Sequence, residues 1–178
     1  TSDATVDALE HMPKARFALN KPVVLDADAL NCMAKKPALM NYLPVLSVLT
    51  PHPGEFDRMF GEQTSTCARL QKAIQVAHFH RVIIVLKGHF TAVVRPDGKV
   101  FFNSSGTPAM ATGGSGDVLT GVLTGLMAQG FKPEKATIIG CYVHGVAGEI
   151  AAADHGDYGT TASDIAENIG RAIVSIQE

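Results

Sequence analysis

The segment TGGSGD, residues 112–117, runs straight into an apolar stretch. Backbone amides at a helix start lack intrahelical acceptors and sit at the positive end of the helix dipole. Gly113, Gly114 and Gly116, with Ser115 between them, let that backbone close around a bulky anion, which predicts a phosphate cradle. There is no Walker-type lysine loop, and Leu119 stands where a dinucleotide fingerprint has its third glycine. Asp117 adds chemistry. A carboxylate beside such amides can take the proton from a hydroxyl that attacks a phosphoryl group, a role typically worth about 10²–10⁴-fold. The plainer alternative is a helix start whose Asp117 only complements the dipole.

Three further loops carry reactive residue types. In TPHPGEF, residues 50–56, Pro51 and Pro53 restrict the backbone on both sides of His52 and hold its imidazole in a stiff corner. That corner follows an apolar run, and open α/β sheets bind ligands at the carboxyl ends of their strands. In VVLDADALN, residues 23–31, Asp26 and Asp28 share one face if the strand continues, while Asp28 equally suits the N-cap of a helix starting at Ala29. In LKGHFT, residues 86–91, Lys87 offers a compact positive charge for phosphate and Gly88 allows close approach. His144 reads as a core histidine and Asp164 as a helix cap.

The elements that must position these loops are legible as alternating patterns. The runs PVVL (22–25), VLSVL (45–49) and VIIVL (82–86) have the continuous apolar character of parallel strands covered on both faces. Helical stretches at residues 3–18 and 66–79 precede the first and third runs, giving an α/β alternation. A hairpin pairing residues 89–95 with 99–102 turns at Pro96-Asp97-Gly98 and forms an antiparallel edge. Helices follow at residues 117–129, from Pro133 onward, and at 163–177 with a capping box from Thr161 to Asp164. Twelve of the 17 glycines lie between Gly106 and Gly159. Mid-helix glycine costs about 1 kcal/mol against alanine, so close helix packing is the expected reason for Gly121, Gly125, Gly140, Gly145 and Gly148. No linker or repeat interrupts residues 1–178, which read as a single domain.

Composition excludes other classes. With 46% hydrophobic and 18% charged residues, the chain is neither disordered nor a coiled coil. A net charge of −2 and the absence of a basic stripe argue against a nucleic-acid groove or an anionic membrane surface. Cys32, Cys67 and Cys141 are odd in number and contain no C-x-x-C pair, which fits a reducing cytoplasm. The seven histidines show no zinc spacing. The apolar stretch at 136–153 contains His144 and Glu149 and reads as a buried helix instead of a membrane span.

Taken in order, LDADALN, LTPHPGEF, VLKGHFT, GTPAMATGGSGDVLTG and HGVAGE resemble the NAD(P)H-hydrate dehydratases of the ribokinase-like fold. The resemblance implies a three-layer α/β/α architecture with a mostly parallel sheet. It also implies a reaction: ADP or ATP phosphorylates the ring hydroxyl of the (6S) hydrate of NADH or NADPH, and loss of phosphate restores the dihydropyridine. ADP, released as AMP, is the donor expected from bacterial members. By the same resemblance His52 and Asp117 contact the hydrate, with Asp117 the catalytic base. Lys87, Gly88, His89, Phe90, Thr91 and Gly116 then lie at the AMP moiety, and Mg²⁺ accompanies the phosphoryl step without an assigned protein ligand. A homotetramer is implied as well. The family's domain opens with further strands and glycine loops before LDADALN. The resemblance therefore predicts a partial domain here, with poor activity alone and an exposed sheet edge. Association, a companion N-terminal segment or an epimerase domain would complete it. An alcohol kinase of the same fold and a nucleotide-binding fragment without turnover are the competing readings.

Overall fold

The computed structural model describes residues 21–177. The chain divides into two compact units, the first ending at Phe101 and the second beginning at Phe102. The helix expected over residues 3–18 lies outside the described residues.

In the first unit the order is β1 (Val24–Leu25), α1 (Asp28–Lys35), a 3₁₀ turn (Pro37–Tyr42), β2 (Val48–Leu49), α2 (Pro53–Phe60), α3 (Thr66–His80), β3 (Ile83–Leu86) and β4 (Ala92–Val94), and β5 (Val100–Phe102) runs over the boundary at its last residue. These strands form one sheet in the order β1-β2-β3-β4-β5. Parallel pairing sets Leu25 beside Leu49 and Leu49 beside Ile84, whereas β4 runs antiparallel to β3 with Val93 opposite Val85. Every residue of β3 is buried, as an apolar run covered on both faces requires. On one face Leu25, Leu49, Ile84 and Leu86 pack with Leu30 and Met33 of α1, Phe56 of α2, and Ala73, Val76 and Ala77 of α3.

The strands are shorter than their apolar runs. VLSVL reduces to Val48–Leu49 because Leu46 turns the chain at φ 64°. Its amide bonds the Arg81 carbonyl at 2.8 Å, and Ser47 N bonds Pro44 O at 3.1 Å. The hairpin keeps its expected turn, with Gly98 at φ 82° and its amide 3.0 Å from Arg95 O. Its first strand starts only at Ala92, since Thr91 Oγ1 donates to Gly88 O (3.4 Å) and folds residues 88–91 into a turn.

The second unit contains a 3₁₀ turn (Pro108–Met110), α4 (Ser115–Ala128), α5 (Pro133–His155), α6 (Ala162–Glu167) and α7 (Ile169–Ser175). Val143, Ala147 and Ala151 of α5 form its core with Ile165 and Ala172. Among the described residues α5 is the helix long and apolar enough to cross a membrane by length and composition, and 56% of its most apolar window is buried within the protein. The last helix breaks in two. Asn168, at φ −88° and ψ 0°, donates its side-chain amide to Asp164 O (2.9 Å) and accepts from Arg171 (2.8 Å), the local competition that makes Asn a poor helix-interior residue. The Thr161–Asp164 capping box is present.

Close packing explains three of the five helical glycines. A Cβ at Gly140 would meet Leu123 at 2.5 Å, one at Gly145 would meet Ser105 Oγ at 2.1 Å, and one at Gly148 would meet Met110 Sδ at 2.3 Å. Gly121 and Gly125 have no such neighbour. A Cβ at either would find nothing within 4 Å, so the packing expectation fails for that pair.

Candidate functional site

Parallel pairing brings the carboxyl ends of β1, β2 and β3 side by side, and the loops that leave them carry Asp26, His52 and Lys87. Lys87 Nζ lies 2.8 Å from Asp26 Oδ1 and 3.9 Å from Glu55 Oε2. The Asp26 and Glu55 side chains are only 9% and 7% exposed, so the lysine balances charge that is largely withdrawn from water. Lys87 N also bonds Pro51 O at 2.9 Å, which ties the loop after β3 to the loop after β2. The lysine is therefore paired in this structure, unlike the bare cation that its sequence context suggests.

Asp28 does not join this group. The strand stops at Leu25 and Ala27 turns the chain at φ 47°. Asp28 becomes the exposed first residue of α1, with Ala27 in the N-cap position. Neither expectation for Asp28 is met, because the turn at Ala27 arrives one residue too early for both.

His52 is the N-cap of α2. Its Nδ1 accepts from Gly54 N (3.1 Å) and Glu55 N (3.3 Å), while its own N–H donates to Glu55 Oε2 at 2.8 Å. This is a reciprocal capping box with an imidazole in the place usually held by a hydroxyl or carboxylate. Sequence reasoning missed Glu55. Its signal was the spacing of three residues from His52, hidden because histidine is not a customary cap.

Beyond Lys87 the backbone at Gly88 faces open space, since an added Cβ there would touch nothing within 4 Å. His89 and Phe90 stack edge to face with ring centroids 4.5 Å apart, and Phe90 is 66% exposed. Residues 88–90 thus form an exposed, aromatic-bearing corner. Thr91 is half-buried.

In the second unit the TGGSGD segment opens α4 two residues earlier than expected. Gly114, at φ 90°, is the N-cap, and no side chain caps the helix. Ser115 N reaches Thr112 O at 3.3 Å, and the first helical bond runs from Val118 N to Gly114 O (3.1 Å). The amides of Gly116 and Asp117 therefore precede the first helical donor, Val118 N, at the positive end of a 14-residue helix. Gly113 and Gly114 are exposed, as is Asp117 in the first turn. Ser115 is buried. Its hydroxyl lies 3.4 Å from His144 Nε2 of α5. Burial pushes the His144 imidazole down to about 4, with hydrogen bonding to the Ser115 backbone pulling the other way, so the ring behind this turn is neutral at physiological pH.

The segment leading into this turn is stitched to α5. Asn103 donates to Cys141 O (3.3 Å), Ser105 Oγ to Tyr142 O (2.9 Å), and Gly106 N to Glu149 Oε1 (2.7 Å). Helix α5 thus holds its glycine-rich neighbour through two carbonyls and, from the HGVAGE stretch, the Glu149 carboxylate.

A family model described as NAD(P)H-hydrate dehydratase matches residues 5–171. The bifunctional NAD(P)H-hydrate repair enzyme Nnr of Moorella thermoacetica is 39% identical over 98% of this chain, and the match covers 33% of that protein. The ADP/ATP-dependent NAD(P)H-hydrate dehydratase of Bacillus subtilis, co-crystallised with ATP and Mg²⁺, superposes with a TM-score of 0.79 at 30% identity, covering 98% of this chain and 60% of that one. Ribokinase of Arabidopsis thaliana shares the fold, with a TM-score of 0.61 at 16% identity over 97% of this chain and 59% of its own. The chain thus spans about a third of the bifunctional relative's length.

Proposed function

Because the chain belongs to the NAD(P)H-hydrate dehydratase family, we propose that it acts in the nucleotide-dependent dehydration of the (6S) hydrate of NADH or NADPH. The observation that carries this reading is the uncapped start of α4, where free amides and the exposed Asp117 carboxylate stand together. The hydrate's ring hydroxyl attacks the terminal phosphoryl group of ADP or ATP, and Asp117 takes the proton. The amides of the 113–116 turn, apart from Ser115 N, which is bonded to Thr112 O, hold the transferring phosphate, where preorganised donors act on charge as it develops. The ring nitrogen lone pair then expels phosphate, and loss of a proton from the ring carbon next to the resulting iminium restores the dihydropyridine. Hydroxide alone is a poor leaving group, which is why the hydroxyl is phosphorylated first.

In the first unit, His52 contacts the hydrate, and the corner at Gly88, His89, Phe90 and Thr91 takes the adenosine part of the nucleotide. Mg²⁺ bound with the nucleotide would neutralise phosphate charge there. Among the described residues no group of three or more His, Cys, Asp or Glu side chains could hold a metal.

The test is to incubate the purified chain with NADH hydrate and ADP, or ATP, in Mg²⁺. Return of the dihydronicotinamide absorbance with one AMP (or ADP) per turnover is expected. Nucleotide binding without that absorbance would overturn the reading.

A further inference from the structure

His52 is held from two sides, and the hold decides which of its nitrogens carries the proton. Two amide N–H groups, those of Gly54 and Glu55, converge on Nδ1 at 3.1 and 3.3 Å. A ring nitrogen that accepts such bonds bears a lone pair, so in the neutral ring the proton sits on Nε2. Pro53 has no N–H, so the two donors come from residues 54 and 55. On the other side, Glu55 Oε1 lies 3.6 Å from Nε2. That is too long for a hydrogen bond but favours an N–H at that position. The carboxylate cannot swing away, being 7% exposed and tied through Oε2 to His52 N at 2.8 Å and to Lys87 at 3.9 Å. The His52 side chain is half exposed, which leaves Nε2–H open to a ligand.

We propose that Glu55 and the first turn of α2 lock His52 in the Nε2–H form, so that it meets the substrate as a hydrogen-bond donor to an oxygen acceptor and never as a proton acceptor. Glu55 is the positioning residue. Gly54 is part of the device, because a Cβ there would press on His52 Cε1 at 3.1 Å. Only the identity of the ligand rests on the dehydratase reading; the lock itself does not.

The lock is read without turnover. In a long-range ¹H–¹⁵N spectrum of ¹⁵N-histidine-labelled protein at alkaline pH, the ring signals that vanish in His52→Asn belong to His52. They are expected to show a pyridine-type Nδ1 and a pyrrole-type Nε2. A protonated Nδ1, or two averaged signals, would overturn the proposal. In Gly54→Ala the signals are expected to move toward averaging, with a roughly tenfold higher KM for the hydrate and an unchanged KM for the nucleotide. His52→Gln keeps a donor but cannot titrate, and its pH profile of kcat/KM is expected to keep the wild-type shape. Loss of one limb of that profile would make His52 a base and refute the assignment. An inactive protein with the expected ring signals would count against the dehydratase reading and leave the lock standing.

Discussion

Lys87 reaches across the end of β2 to set its ammonium 2.8 Å from the Asp26 carboxylate, joining residues 61 positions apart at the ends of β1 and β3. The same ammonium stands 3.9 Å from Glu55, so one cation faces two nearly buried carboxylates. Removing it takes a counter-charge from both. Lys87→Ala is expected to cost about 3 kcal/mol in denaturant unfolding. Adding Asp26→Asn to Lys87→Ala should cost less than the sum of the two single changes. Strict additivity would mean that the pair carries no coupling.

Asp117 stands exposed in the first turn of α4. Asp117→Asn preserves shape and the neighbouring amides but cannot accept a proton. Nucleotide affinity, measured by calorimetry, is expected to remain, while turnover falls by about 10²-fold or more. Full turnover in this variant would remove the base assignment.

The helical glycines divide into two groups that alanine separates. At Gly121 an added Cβ touches nothing within 4 Å, so Gly121→Ala should stabilise by about 0.5–1 kcal/mol through helix propensity. At Gly145 the same carbon falls 2.7 Å from the Ser105 carbonyl carbon, and Gly145→Ala should destabilise by about 2–3 kcal/mol. Thermal unfolding of the two variants is expected to shift in opposite directions.

The buried imidazole of His144 makes stability depend on pH. Burial holds it down at about 4, against 6.5 when exposed, so between these values the unfolded chain binds a proton that the folded chain does not. Stability is therefore full above pH 6.5 and declines as pH falls toward 4, by about 3 kcal/mol. Denaturant midpoints across this window should follow that slope, and His144→Gln should flatten it.

Much of this was legible in the residues. VIIVL announced a strand buried on both faces, and PDG announced the hairpin turn, because both depend on local chemistry. The boundaries were less so. Nothing in VLSVL marks Leu46 as the residue that turns at positive φ, because the bond that holds it comes from Arg81, 35 positions away. Glu55 escaped for a related reason: its contacts with Lys87 exist only once β2 and β3 lie side by side. For Asp117 and the glycines before it, the sequence indicated the helix start but placed it two residues late, since Gly114 at φ 90° allows the first turn to begin at Ser115.

The contacts at Gly145 and Gly148 differ in what they permit over evolutionary time. The obstacle at 148 is the flexible end of Met110, so a lineage can trade bulk between these two positions, a larger residue at one arriving with a smaller residue at the other. At 145 the obstacle includes main chain, which no exchange of side chains removes. Position 110 should therefore covary with 148 across descendants, while 145 stays frozen whatever its neighbours become.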